Sequence, residues 1–206
     1  MLFQGQVTNK VPQIRASGNP NLMQLMLGEM GVSEVMPRYS ALAQSGLLFA
    51  ARCALQATSL AGTALVGLQV WNRNANVNLH MMKASGNIVA SSATCTGLAV
   101  ATGVGQTSAP TGQTAATNVI NTLVGGSQPS ALALAAGTYT NAPVAIWDIL
   151  HNTAAIASTG TDQGFQWDFE GTLIIQPNCY VAIVALGAAA AASSNNLSLM
   201  WAELPV

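Results

Sequence analysis

The sequence predicts an all-β protein: an antiparallel β-sandwich, jelly-roll-like, with an extended N-terminal arm containing a short helix. Three observations predict it. Short apolar runs recur across residues 46–206, separated by Gly, Pro, Asn and Ser clusters, as in FQWDFEG, TLIIQP, NCYVAIVALG and NNLSLMWAELPV. Period-two alternation marks the clearest run, where Phe165, Trp167 and Phe169 fall on one face and Gln166, Asp168 and Glu170 on the other. Helical spacing is confined to short pieces of the first 45 residues, and no internal repeat points to a solenoid or propeller.

Residues 1–45 read as an arm, with Pro12, Pro20 and Pro37 and the polar run Ser17 to Asn21. Its one apolar segment, Leu22 to Leu27, is expected to form one or two helical turns with Leu22, Leu25 and Met26 on one face, capped by Asn19 or Asn21 and ended by Gly28. Met23, Met26 and Met30 make that surface adaptable, suited to packing on its own domain or on a neighbouring subunit. Pro37 fits the first helical position, which predicts a short helix or turn over Arg38 to Gln44 stopped by Gly46. Strand-like tracts follow at Leu47 to Ala57, Ala64 to Asn72, Val77 to Lys83 and Ile88 to Val100. Turns are expected at Ser59 to Thr63, Arg73 to Asn76 and Ala84 to Asn87.

From 101 to 141 the composition turns to Gly, Thr, Ser, Ala and Gln without a charge, which predicts a long neutral surface loop, with a strand or helical turn at Val119 to Val124. Pro143 to His151 resumes the strand pattern. After a turn-rich stretch from Asn152, residues Phe165 to Val206 read as a closing meander. Eight or nine strands are expected in all.

Only 6% of the 206 residues are charged, against about 25% in an ordinary soluble domain, so burial by partner chains is the simplest way to cover the neutral surface. Net charge is −1, which disfavours nucleic acid as a partner. Residues 1–83 hold all six basic residues and two acids, a balance of +4, whereas residues 84–206 hold five acids and no base, a balance of −5. The two halves are expected to pair within one domain, or head to tail between subunits. Cys53, Cys95 and Cys179 lack metal-ligand or CxxC spacing and read as reduced, buried thiols. The first 20 residues lack the apolar core of a secretion signal. Cys179 to Ala192, the longest apolar tract, is too short for the roughly 20 residues of a membrane span, so no membrane is expected.

Chemistry-bearing residues are sparse. His80 and His151 are the only histidines, and each reads as a strand histidine rather than a catalytic base. No GxSxG, HExxH or phosphate-binding loop is present. Asp148, Asp162, Asp168 and Glu170 offer oxygen ligands for Ca²⁺, but a solvated strand face is their plainer use, and no cofactor or metal is expected. Trp71, Trp147, Trp167 and Trp201 fall on predicted strands, for core or rim packing or, alternatively, as sugar platforms.

The tracts GEMGVSEVMPRYSALAQSGLLFAA (Gly28 to Ala51), GLQVWN (Gly67 to Asn72), GTLIIQPNCYVAIVA (Gly171 to Ala185) and LSLMWAELPV (Leu197 to Val206) together resemble structural proteins of tailed-bacteriophage virions, including a terminal strand of the W-x-E-x-P kind. The resemblance implies a capsid decoration, cement or minor head protein with a jelly-roll-like domain. It implies synthesis in the host cytoplasm, a place on the capsid surface, and as partners the major capsid protein and copies of itself in a homotrimer. It implies no enzymatic activity. Candidate assembly contacts are Leu22, Met23, Leu25 and Met26 of the arm, Arg38, Tyr39 and Arg73 among the cations and their neighbours, and Asp168 and Glu170 opposite them in charge. The alternative reading is a receptor- or carbohydrate-binding module on the virion surface or tail.

Overall fold

The computed structural model describes residues 25–27, 33–35, 38–56, 59–91, 97–151, 163–185 and 193–206. Residues 1–41 and 42–206 form two compact units. In the first, β1 (Leu25–Leu27) pairs antiparallel with β2 (Ser33–Val35), Leu25 opposite Val35 and Met26 opposite Glu34. The helix expected over Leu22 to Leu27 is therefore a strand in its second half. A six-residue apolar run does not separate the two periods, and a single helical turn carries the cost of nucleation with few bonds to offset it. Leu22 and Met23 lie outside the described residues.

Helix α1 (Arg38–Gln44) forms where Pro37 and Gly46 predict it. It closes as a Schellman motif: the Gly46 amide (φ +69) donates to the Ala43 carbonyl and the Leu47 amide to the Leu42 carbonyl, each at 3.0 Å. This turn delivers the chain into the sandwich.

The sandwich strands are β3 (Leu48–Gln56), β4 (Ser59–Ala61), β5 (Ala64–Trp71), β6 (Val77–Ser91), β7 (Gly97–Gly103), β8 (Thr111–Ala115), β9 (Asn118–Asn121), β10 (Leu132–Thr138), β11 (Val144–His151), β12 (Gln163–Ile175), β13 (Tyr180–Ala185) and β14 (Ser193–Pro205). One sheet has five strands in the order β12-β6-β14-β3-β9. The other has seven, β11-β7-β13-β5-β10-β8 with β4 also on β5. All pairings are antiparallel. Without β4, β8, β9 and β10, the sheets reduce to β3-β14-β6-β12 and β5-β13-β7-β11, the interleaved order of a jelly roll.

Several expectations change, the number of strands among them, since twelve are described in the sandwich where eight or nine were expected. The closing meander is not one: β12 and β14 both flank β6, while β13 lies in the other sheet between β5 and β7. The neutral stretch 101–141 is not a loop throughout, because it supplies β9 to one sheet and β10 and β8 to the other. The turn expected at Ala84 to Asn87 is the middle of β6, and the turn at Ser59 to Thr63 includes β4. Gly86 reads as a turn residue, but it serves a close approach. A Cβ there would meet the Asn196 carbonyl and, at 3.0 Å, the ring of Phe165, its partner on β12.

The main core lies between the sheets. Phe49, Cys53, Leu79, Met81, Leu197, Leu199 and Trp201 come from the five-stranded sheet and Leu68, Val70, Leu98, Val100, Val181 and Ile183 from the seven-stranded one. In β13 all six residues are buried, since Tyr180, Ala182 and Val184 join a second cluster with Leu65, Trp71, Ala99, Ala101 and Tyr139 on the sheet's other face. Residues 104–110 cross part of that face. The Trp71 Nε1 donates to the Gln106 carbonyl at 3.1 Å, and Pro110 sits over Gly137.

Candidate interaction surface

One end of the sandwich is stitched together by buried polar side chains. Asn72, fully buried after β5, donates from Nδ2 to the carbonyls of Val77 (2.8 Å) and Ile175 (3.0 Å), joining two turns. The Gln106 side chain accepts the Thr140 amide at 2.7 Å, and the Gln106 backbone amide donates to the Asn178 carbonyl at 2.8 Å. Glu203 near the end of β14 accepts the Ser130 amide (2.9 Å), the Ser130 hydroxyl (2.7 Å) and the Ala131 amide (2.9 Å). Every partner of a buried polar group fixed in this way makes the end more rigid.

That end carries a projecting turn. After β9, Thr122 holds the Leu48 carbonyl through both its amide and its hydroxyl, and the Asn121 Nδ2 donates to the carbonyls of Gly46 and Ser127, each at 2.9 Å. The Asn121 Oδ1 accepts the Leu123 amide at 2.9 Å. Leu123 to Gly126 closes a β-turn, with the Gly126 amide on the Leu123 carbonyl at 2.8 Å and Gly125 at φ +88, the conformation a type II turn requires at that place. Gly126 has no room for a Cβ, which would lie 2.7 Å from the Asn121 Nδ2. The turn so held presents Val124, 95% exposed, and Leu123, 44% exposed, beside Ile120 on β9.

The opposite lateral edge mixes exposed apolar side chains with the carboxylates of Asp148, Asp168 and Glu170. β11 exposes Val144, Ile146 and Trp147, and β12 exposes Trp167 and Ile174. The Trp147 and Phe169 rings meet at 5.6 Å. A cleft of about 210 Å³ opens there between the end of β7 (Thr102 to Val104) and Leu173 to Gln176, with Cys179 on its wall.

The described contact residues predicted from sequence are placed by separate elements. Arg38 and Tyr39 begin α1 and are half-buried. Arg73, exposed after β5, donates from Nε to the Ser130 carbonyl at 2.8 Å. Asp168 lies on edge strand β12 opposite Lys83 in the ladder, a cation from the first half of the same chain. Glu170 (φ 50) and Gly171 (φ 76) lie in an irregular stretch of that ladder; Asp168 and Glu170 are both exposed, on either side of the buried Phe169, and the Glu170 amide donates to the Asp168 Oδ1 at 2.9 Å. Trp71 and Trp201 are buried, which leaves Trp147 and Trp167 as the exposed pair among the four. Sequence reasoning passes over Leu123, Val124 and the anchoring Asn121. Their signal is present in TLVGG, an apolar pair ahead of two glycines inside a polar stretch.

No three His, Cys, Asp or Glu side chains gather among the described residues, and Asp162 and Cys95 lie outside them. No helix among the described residues is long and apolar enough to cross a membrane. Cys53 and Cys179 carry no disulfide. Burial pushes the Cys53 thiol up from 9.0 to about 11, against a smaller opposing effect of the Thr117 backbone, and it raises the half-buried Cys179 as well. Cys53 is fully buried, so the native chain should react with a thiol reagent at pH 8 at Cys179 well before Cys53, as peptide mapping of the labelled protein will show. Because the folded value of Cys53 lies above the unfolded one, its contribution to stability is intact below pH 9 and is lost as pH rises through about 11. Faster labelling of Cys53 than of Cys179 would contradict the burial order.

In comparisons with protein-family models, curated proteins and solved structures, nothing matches the chain.

Proposed function

We propose that this chain is a non-enzymatic virion structural protein that decorates or cements a phage capsid shell through subunit–subunit contacts. The observation that carries the reading is a rigid end that exposes apolar side chains on a stretch without charge. No charged residue occurs between Ala84 and Trp147, yet that stretch builds the projecting turn and much of both sheets, and it exposes Val104, Ile120, Leu123 and Val124. Such a surface gains from burial against another protein, and its own residues have no charge to desolvate. The virion-like tracts and the jelly-roll strand order, an architecture used by viral capsid domains, support the same reading.

The test is addition of the purified chain to phage shells assembled without it. It should co-sediment with them and raise their unfolding temperature, by an amount corresponding to about 2.7 kcal/mol at a hundredfold excess over Kd. Failure to bind shells at any concentration would remove the reading. The exposed Trp147 and Trp167 favour, as the second reading, a carbohydrate-binding surface. Glycan binding abolished by Trp147→Ala and Trp167→Ala would establish it instead.

A further inference from the structure

We propose that copies of this chain join head to tail, the Leu123–Val124 turn of one copy seating in the Val104–Ile174–Cys179 cleft of the next. The two halves of the contact are carried by one chain, at opposite edges of the five-stranded sheet. Asn121, Phe49, Trp201, Met81 and Leu173 are successive ladder partners across β9, β3, β14, β6 and β12. Four strand spacings separate the ends of this row, about 19 Å. The turn leaves the row just beyond Asn121, and the cleft opens just beyond Leu173. A projection and a recess displaced to opposite sides cannot meet within one copy. Side by side in the same orientation, two copies bring them together.

The chemistry of the two surfaces matches. Val124 is nearly all exposed on a turn whose shape Asn121 and Gly126 already fix, so little conformational freedom remains to be lost on docking. Val104 and Ile174 at the cleft are 65% and 44% exposed. The turn residues Leu123 to Gly126 and the residues lining the cleft include no charged side chain, so the inserted turn itself sheds no ion's hydration. At about 210 Å³ the cleft is smaller than the roughly 300–1,000 Å³ of cofactor and drug-like sites. It exceeds the ~150 Å³ of an apolar cavity that holds benzene, which leaves room for branched aliphatic ends. Because the two patches differ, the contact is heterologous and makes a ring when its rotation closes.

The proposal goes beyond the virion reading and needs no shell, so each fails separately. Full-length chain, Val124→Asp, Ile174→Asp and an equimolar mixture of the two variants are compared by native mass spectrometry and sedimentation. The unaltered chain should be oligomeric, and each variant alone should lose at least tenfold in self-association. The mixture should form a one-to-one dimer, since one variant keeps the cleft and the other keeps the turn. Thermal midpoints of the variants, measured alongside, identify any that fail to fold. Should Ile174→Asp fail to fold, Val124→Cys replaces it. Diamide, by taking up two electrons and two protons from two thiols, should then join the thiol introduced on the turn of one copy to Cys179 of the next, and adding Cys179→Ser should abolish the product. A monomeric unaltered chain, variants that stay oligomeric, a mixture that stays monomeric, or an oligomer without the cross-link would each overturn the proposal.

Discussion

Trp201→Ala should lower stability by about 3–5 kcal/mol, the range for truncating a large buried aromatic. Trp201 is fully buried on β14, the strand that pairs with both β3 and β6 in the middle of the five-stranded sheet. Its ring lies 6.1 Å from that of Phe49, its ladder partner, and on the other side it is paired with Met81. The hole left by alanine is bounded by two sheets, and collapse into it requires both to move, which places the cost toward the upper part of the range. For a domain of this size each kcal/mol lowers the melting temperature by roughly 2–4 °C. Urea unfolding followed by fluorescence of the remaining tryptophans provides the check, with the midpoint falling and the slope unchanged. A loss below about 1 kcal/mol would show that the ring is not a central support of the core. Trp201→Phe, which keeps an aromatic against Phe49, should lose less.

The sandwich was legible in the sequence because its strands announce themselves locally. Alternation in β14, where Leu197, Leu199 and Trp201 are buried and Ser198 and Met200 are not, is visible in LSLMW. Gly46 marks the end of α1 because the helix terminus needs a left-handed backbone conformation there, which glycine adopts without strain. The pairing of strands was not legible, since ladder partners such as Leu173 and Met81 are set by the packing of two sheets and not by neighbours in the chain. Hence consecutive strands looked like a meander. One signal in β13 was available: YVAIVA has no alternation, as expected of a strand buried on both faces. Gly86 misled because a glycine that admits an aromatic ring looks, in sequence, like one that makes a turn.

The contact residues were harder still. Charge drew attention to Arg73, Asp168 and Glu170, yet Arg73 serves the Ser130 carbonyl and Asp168 lies beside Lys83 of its own chain. In a chain with so few ions, the informative surface is the neutral one. Its exposure depends on Asn121, whose side chain reaches Gly46, 75 residues away in sequence. No local pattern records such a bond.

Glu203→Ala should cost about 3–5 kcal/mol, because it leaves three donors without their acceptor at a buried carboxylate site. Glu203 is 7% exposed, and its carboxylate is the acceptor for the Ser130 amide, the Ser130 hydroxyl and the Ala131 amide, with the Trp201 Nε1 at 3.4 Å. Glu203→Gln separates charge from shape. It keeps the size of the side chain but turns an NH₂ group toward at least one donor, so it should recover only part of the loss. The effect reaches the projecting turn, since residues 121–131 are pinned at one end by Asn121 and at the other by Glu203. Hydrogen exchange should therefore quicken at Ser130 and Ala131 first, and self-association should weaken although Leu123 and Val124 are untouched. Unchanged exchange at Ser130, or a stability loss under about 1 kcal/mol, would mean that the carboxylate is not what holds this segment to the sandwich.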